Sequence, residues 1–263
     1  MALIARDIEV FYGKTPALHG VDFTAQPGQV TAIIGPNGSG KSTLLKAMTA
    51  ELAYRGQVTL DGVNIQAEDP ALLAARRAVL PQSVVLTFPF SAREVVEVGL
   101  TSGLSGFRRD LPMEALARVE LAEFADRFYQ ELSGGQQQRV QFARVLAQVW
   151  EPVADGQPCW LLLDEPVSSL DIAHQVAIMR IAKDYARRGG GVVAVMHDLN
   201  LTAHFADQTC LMKEGRVVRQ GATSEVLQPE TLSPVYDCRL MAIPAHEGHP
   251  AMLSPDLSQV HAQ

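Results

Sequence analysis

A basic excess is the first thing this sequence lacks. Its 263 residues hold 22 Lys and Arg against 29 Asp and Glu, a formal charge of −7, and contain no long basic block. Proteins that bind nucleic-acid phosphates leave a basic footprint, so nucleic acid is excluded as the main partner. Cysteine is scarce as well: Cys159, Cys210 and Cys238 are odd in number and widely spaced. That excludes a disulfide framework and suits a reducing compartment. No apolar run approaches the roughly 18–20 residues that a spanning helix requires. The N-terminus carries no secretory signal, and internal repeats and low-complexity tracts are missing. The expectation is a chain soluble by itself, with docking on a membrane protein left open.

What is present is apolar material in short, well-bounded runs. Hydrophobic residues make up 47% of the chain, enough for a large buried core. The first forty residues look like strands, and GQVTLDGVNI (56–65) sets two alternating runs around Asp61-Gly62, a hairpin signal. QVTAIIG (29–35) is a short apolar run ending in a glycine-rich turn, and KSTLLKAMTAEL (41–52) continues with helical periodicity. Between 91 and 150 helix-like segments replace strand signals, opening on Ser91 and Glu94 at capping-box spacing. From 159 the pattern alternates again: CWLLLDEP as a buried strand, IAHQVAIMRIAKDYARR as a helix, GGVVAVMH as another buried strand. Continuous apolar strands with helices between them imply a parallel sheet covered on both faces. The predicted fold class is α/β: a core with a parallel sheet flanked by helices, an N-terminal antiparallel β subdomain and a helical insert. The predicted boundaries are 1–84 for the first part of the core, 85–150 for the insert, 151–242 for the second part, and 243–263 for a flexible tail.

GPNGSGKS (35–42) fits G-x-x-x-x-G-K-[ST] at every fixed position, in a strand–loop–helix setting. The loop of Gly35, Pro36, Asn37, Gly38, Ser39 and Gly40 would wrap the backbone N–H groups of its non-proline residues around phosphates. Lys41 would reach the β and γ oxygens, and the Ser42 hydroxyl would bind Mg²⁺. WLLLDEP (160–166) supplies a second half: a buried strand delivers Asp164 to the Mg²⁺ region, and Glu165 is placed to orient the attacking water. His197 ends the next apolar strand and would emerge at the same edge. Its plain alternative is a helix-start residue beside an Asp198 that serves as N-cap. Gln82 after a proline and Tyr12 after a strand are weak signals alone, readable as loop and packing residues. ELSGGQQQRVQFAR (131–144) is a glycine turn before a helix, with Ser133 and Gln136 at capping-box spacing. A helix start attracts anions through its N–H groups and dipole, which raises the question of why a chain with a P-loop has a second such start.

A family resemblance answers it. GPNGSGKST (ending in Thr43), Gln82, LSGGQ (132–136), WLLLDEP, SSLD (168–171) and His197 stand in the order and approximate spacing of ABC-transporter ATPase subunits. The chain resembles that family over roughly residues 3–240, and LSGGQ is highly specific to it. The resemblance implies a head-to-tail dimer of two copies. Ser133, Gly134, Gly135 and Gln136 of one would cap the ATP held by the P-loop of the other. It implies ATP and Mg²⁺ as cofactors, with Ser42, Gln82 and Asp164 as the metal's ligands. Tyr12 resembles the aromatic that stacks on adenine, and Gln82 the residue linking Mg²⁺ and water to the transmembrane partner. Glu165 resembles the catalytic base, Asp171 the loop crossing the dimer interface, and His197 the γ-phosphate switch. Two departures are small: Val167 stands for the commoner threonine after the Walker B proline, and Ser169 for the usual alanine.

The chain has no fused membrane domain, which implies a separate pair of integral-membrane permease subunits. A periplasmic or extracellular substrate-binding protein would act indirectly. The place implied is peripheral, on the cytoplasmic face of the bacterial inner membrane. HDLNLTAHFAD (197–207) resembles the importers for iron chelates, haem and vitamin B12. LPQSVVLTFPFSAREVVEVG (80–99) and the extra residues in VLAQVWEPVADGQPCWLLLDEP (145–166) are similar to the haem-importer subgroup. The rival cargoes are ferric siderophore and cobalamin. A rival of another class is a soluble, non-transport ABC ATPase of DNA repair or ribosome function; it would carry coiled-coil inserts, a second ATPase domain or basic arms. A regulatory module without turnover is opposed by Glu165 and His197. Phe88 and Phe90 around Pro89 read either as a docking segment or as anchors of the insert. His246, His249 and His261 sit among Glu, Gly and Pro with no rigid ligand spacing, and read as solvated.

Overall fold

The computed structural model describes residues 1–103, 108–244 and 251–256. Strands β1 Leu3–Tyr12, β2 Thr15–Ala25 and β3 Val30–Ile34 lead into helix α1 Lys41–Met48. β4 Arg55–Leu60, β5 Val63–Asn64, α2 Pro70–Arg76 and β6 Arg77–Leu80 follow. A helical stretch then holds α3 Ala92–Ser102, α4 Leu111–Arg118 and α5 Gly134–Gln148. The chain returns to sheet through β7 Val153–Ala154, β8 Gln157–Pro158 and β9 Trp160–Asp164, then α6 Ile172–Arg187, β10 Gly191–Val195 and α7 Leu199–Phe205. β11 Gln208–Lys213, β12 Arg216–Ala222, α8 Thr223–Val226, α9 Pro229–Tyr236, β13 Leu240–Ile243 and β14 Met252–Pro255 complete the order. These elements fall into two compact units. One comprises Met1–Leu3, Ala25–Gln29 and Thr59–Ala194; the other Ile4–Thr24, Val30–Val58 and Val195–Gln263.

In the first unit β6 runs parallel to β9, from Arg77 opposite Trp160 to Leu80 opposite Leu163. All five residues of β9 and all five of β10 are buried, the burial of strands covered on both faces. Gly191 lies so close to the Trp160 indole that a Cβ there would enter the ring. The helices α3, α4 and α5 pack on one another, and Val95, Val96, Leu116, Val140, Phe142 and Val145 on them are buried. Gly99 lets α3 cross α5 directly against the Arg144 carbonyl. Ser91 starts α3 with a two-way capping box: Glu94 N–H donates to its Oγ at 3.3 Å, and its own N–H donates to Glu94 Oε2 at 2.7 Å. The Asp61-Gly62 hairpin forms as the sequence implies, with Thr59 opposite Asn64 and φ of 52° and 87° at the two turn residues. Two positive φ values are the requirement of the tight turn that matches strand twist.

In the second unit β3 runs parallel to β11, from Thr31 opposite Gln208 to Ile34 opposite Leu211, and β11 pairs antiparallel with β12. The N-terminal strands lie in the order β2–β1–β4, and Gly56 of β4, at φ 99°, runs against the carbonyls of Arg6 and Asp7. The segment read as tail contains a strand: β14 pairs with β13, and Asn200 of α7 fixes it by donating to Leu253 O at 3.2 Å and accepting Leu253 N–H at 2.7 Å. His246, His249 and His261 lie outside the described residues. Cys159 and Cys210 are buried and Cys238 is exposed, all as free thiols. No helix among the described residues is long and apolar enough to cross a membrane.

Candidate nucleotide site

The glycine loop sits in the second unit. β3, buried at all five positions, ends in Gly35 at φ 150°, where a Cβ would run into the Met212 carbonyl. Pro36, Asn37 and Gly38 form the outer bend; a Cβ on Gly38 would meet nothing within 4 Å, so its backbone faces open space. Gly40, at φ 98°, starts α1 without a side-chain cap. Asp69, Ser91, Ser133, Asp171 and Asp198 cap the starts of α2, α3, α5, α6 and α7 with their side chains. α1 therefore offers its first N–H groups and its dipole to an anion. Lys41 is 5% exposed, and its ammonium donates to Gly35 O at 2.9 Å and Pro36 O at 3.0 Å. The Ser39 Oγ is buried with no hydrogen-bond partner. A glycine loop with a buried cation at the start of a helix that has no side-chain cap fits a polyphosphate. Ser42 and Thr43 follow in the first turn of α1, half-buried.

His197 belongs to the same unit. Met196 N–H donates to Ile33 O at 3.0 Å, so His197 emerges, exposed, beside the end of β3 that carries Gly35. Asp198 caps α7, accepting the Leu201 N–H at 2.8 Å. Both readings of this stretch hold together: His197 stands at the sheet edge, and Asp198 starts the helix. Tyr12 at the end of β1 is 54% exposed, which removes it from the core and leaves its ring available for stacking.

The acidic cluster and the glycine turn of α5 sit in the first unit. Asp164 is 2% exposed at the end of β9, and the parallel register brings Gln82, two residues past Leu80, to the same edge. Glu165 adopts φ 52°, a left-handed conformation that costs a non-glycine residue on the order of 1 kcal/mol and persists where surroundings enforce it. An amide oxygen and a carboxylate, as in Gln82 and Asp164, are hard oxygen donors of the kind that suit Mg²⁺.

The α5 start is built on three successive glutamines with three different tasks. Gln136 completes the capping box: its Oε1 accepts the Ser133 N–H at 2.9 Å, and its own N–H donates to Ser133 Oγ at 3.3 Å. This leaves the N–H groups of Gly134 and Gly135, the first two helical positions, outside the box. Gln137 donates backward to Tyr129 O at 3.0 Å and Leu132 O at 3.1 Å. Gln138 reaches across to the loop after β9, donating to Glu165 O at 2.9 Å and accepting the Ser169 N–H at 3.1 Å. Gln138 is the residue that sequence reasoning passed over; the run of three glutamines was its only signal. Asp171 caps α6, and hydrogen bonds from the His174 backbone and ring hold its carboxyl below the usual carboxylate range.

Val84, Leu86, Phe90, Val95 and Val98, with Gln141 and Arg144, line an apolar groove of about 240 Å³. Phe88 is 69% exposed and Phe90 36%, so the FPF turn does not anchor the insert by burial. Arg144 donates its Nε–H to Gln141 Oε1 at 2.7 Å, and burial lowers its pKa.

A buried strand, a glycine loop and an uncapped helix define the P-loop nucleotide-binding class. Comparison with known proteins carries this further. Residues 18–168 match the ABC transporter family model. The chain is 58% identical to the hemin import ATP-binding protein HmuV of Jannaschia sp. (strain CCS1), over 98% of this chain and 95% of that protein. It is 56% identical to the HmuV protein of Mesorhizobium japonicum, over 90% and 91%. Among solved structures, it superposes on a dimeric ATP-binding cassette in a post-hydrolysis state bound to ADP and Pi. There the TM-score is 0.72 at 29% identity, covering 84% of this chain and 98% of that one. A metal-chelate type ABC transporter in an inward-facing conformation shares the fold at 24% identity and TM-score 0.77, covering 97% of each chain. The chain belongs to the ABC transporter family.

Proposed function

We propose that this protein binds and hydrolyses ATP to energise an ABC importer for haem. The observation that carries the cargo is the 58% identity to a hemin import ATP-binding protein over nearly the whole chain. The uncapped start of α1, with Lys41 buried in the loop beside it, supports the nucleotide. Gly35 to Thr43 hold the phosphates of ATP, and Tyr12 stacks on the adenine. Glu165 acts as general base on the attacking water, with Gln82 positioning that water and His197 sensing the γ-phosphate. Ser42, Gln82 and Asp164 would hold Mg²⁺, which when bound neutralises charge on the β and γ oxygens. Ser133, Gly134, Gly135 and Gln136 cap the nucleotide of a second copy, and Asp171 lies at the interface of that head-to-tail dimer.

The partners in this reading are two integral-membrane permease subunits, with a substrate-binding protein acting through them. They hold the chain peripherally at the cytoplasmic face of the inner membrane. The apolar groove between the Gln82 loop and α3 supports docking of a permease helix, since a solvated surface rarely gathers so many apolar side chains. The division at 84, 150 and 242 separates a two-part ATP-binding core from the helical insert. The test is a deletion strain fed single iron sources. It should lose growth on hemin and keep growth on a ferric siderophore, with vitamin B12 uptake unchanged. Normal growth on hemin would overturn the assignment, and loss on the siderophore or of B12 uptake would move the cargo there.

A further inference from the structure

Glu165 stands in a strained left-handed conformation, φ 52°, at the point where β9 turns into the loop toward α6. Such a conformation survives only where neighbours over-determine it. The loop is gripped from two helices. Gln175 of α6 donates to Val167 O at 3.3 Å and Leu170 O at 3.0 Å, holding its far half. The near half is spanned by Gln138 of α5: its Nε2 donates to Glu165 O at 2.9 Å, shorter than the local bonds to that oxygen from Ser168 Oγ at 3.3 Å and Ser168 N–H at 3.4 Å, and its Oε1 accepts the Ser169 N–H at 3.1 Å. The approach is close. A Cβ on Gly135 would come within 3.2 Å of Ser169 O and 3.4 Å of Leu170 Cδ2. A glutamine is suited to this task because one amide offers both a donor and an acceptor.

We infer that Gln138 is a positioning residue for hydrolysis. It locks the peptide of Glu165, and so aims a carboxylate that it does not itself touch. The inference rests on the reading of Glu165 as general base. It also gives one chain a rigid link between two functions. The helix that starts at Ser133 and Gly134 is tied, one turn further on, to the backbone of Glu165.

The test is Gln138→Met, which keeps the length of the side chain and removes both hydrogen bonds. In the full-length protein kcat for ATP should fall about 10²-fold, the cost of an ångström-scale misplacement of a reacting group. ATP affinity should stay within about twofold, because Gln138 does not belong to the P-loop. Where Gln138→Met folds poorly, Gln138→Glu keeps the acceptor for Ser169 N–H and loses the donor to Glu165 O; it should lose kcat similarly while still melting cooperatively with a wild-type circular dichroism spectrum. In a Glu165→Gln background, adding Gln138→Met should reduce the remaining rate by less than about twofold, since it acts through a group already disabled. Full kcat in either folded variant overturns the inference, as does an equal fall in ATP affinity or an additive loss in the double variant. Near-normal hydrolysis in Glu165→Gln alone overturns the general-base reading beneath it, and the two failures are read from different proteins.

Discussion

Lys41 turns its ammonium back onto the loop that carries it, donating to Gly35 O at 2.9 Å. A cation 5% exposed and held by carbonyl oxygens is positioned for negative oxygens to enter between it and the backbone N–H groups of α1. Replacing it by alanine leaves the loop geometry, set by Gly35 and Gly40, in place. Lys41→Ala should therefore fold normally by circular dichroism while nucleotide affinity, ATPase activity or both collapse. Full ATPase activity would rule out the phosphate role.

The role proposed for Glu165 is activation of the attacking water. Glu165→Gln should retain ATP binding and lose hydrolysis by about 10²–10⁴-fold, the usual contribution of a general base. It should also accumulate an ATP-bound dimer on size exclusion, because closure no longer ends in cleavage. Near-normal turnover of the purified variant would sink the role.

Phe90 lines the apolar groove and is 36% exposed. Phe90→Asp should weaken binding to the detergent-solubilised permease pair more than it weakens ATP affinity, by about 10-fold or more, the range for losing one anchor at an interface. A matched loss of both would mark Phe90 as structural.

Ser133 Oγ belongs to the capping box of α5. Ser133→Arg puts a bulky side chain where a γ-phosphate would approach Gly134 and Gly135. ATP binding to monomers should survive and hydrolysis should vanish. Mixing Ser133→Arg with Lys41→Ala should restore partial activity, because one composite site of the mixed dimer is then wild type. Loss of ATP binding by isolated Ser133→Arg monomers would place the helix on its own subunit's nucleotide.

Asp61 accepts a hydrogen bond from Trp160 Nε1 at 3.3 Å, and burial raises its pKa. A carboxyl whose folded pKa is raised favours the folded state at low pH and loses that contribution as pH climbs from the ordinary carboxylate value through the raised one. Asp61→Asn keeps the acceptor for Trp160 and tolerates the left-handed φ of 52°. It should raise Tm at pH 7, with the gain shrinking as pH falls through the carboxylate range. A gain independent of pH would assign the effect to something other than the charge.

The features legible in the sequence are those written in short, contiguous spacing. The glycine loop, the strand ending in Asp164, the Asp61-Gly62 hairpin and both capping boxes depend on φ values and hydrogen bonds within a few residues, so local sequence determines them. The position of His197 at the end of a buried strand and the cap at Asp198 were equally local, and both are present. Tertiary structure alone decided what required distant segments to meet. The exposure of Phe88 depends on whether distant segments cover that turn, and they leave it 69% exposed. The pinning of Leu253 by Asn200 joins residues 53 apart, and the bridge from Gln138 to Glu165 joins residues 27 apart. The strain at Glu165 has no sequence signature, because a left-handed glutamate has low intrinsic propensity and exists only where a packed neighbour holds its peptide. The three glutamines after Gly135 are identical letters in the sequence. Their three roles arise only when the helix rotates each side chain by about 100° toward a different surrounding.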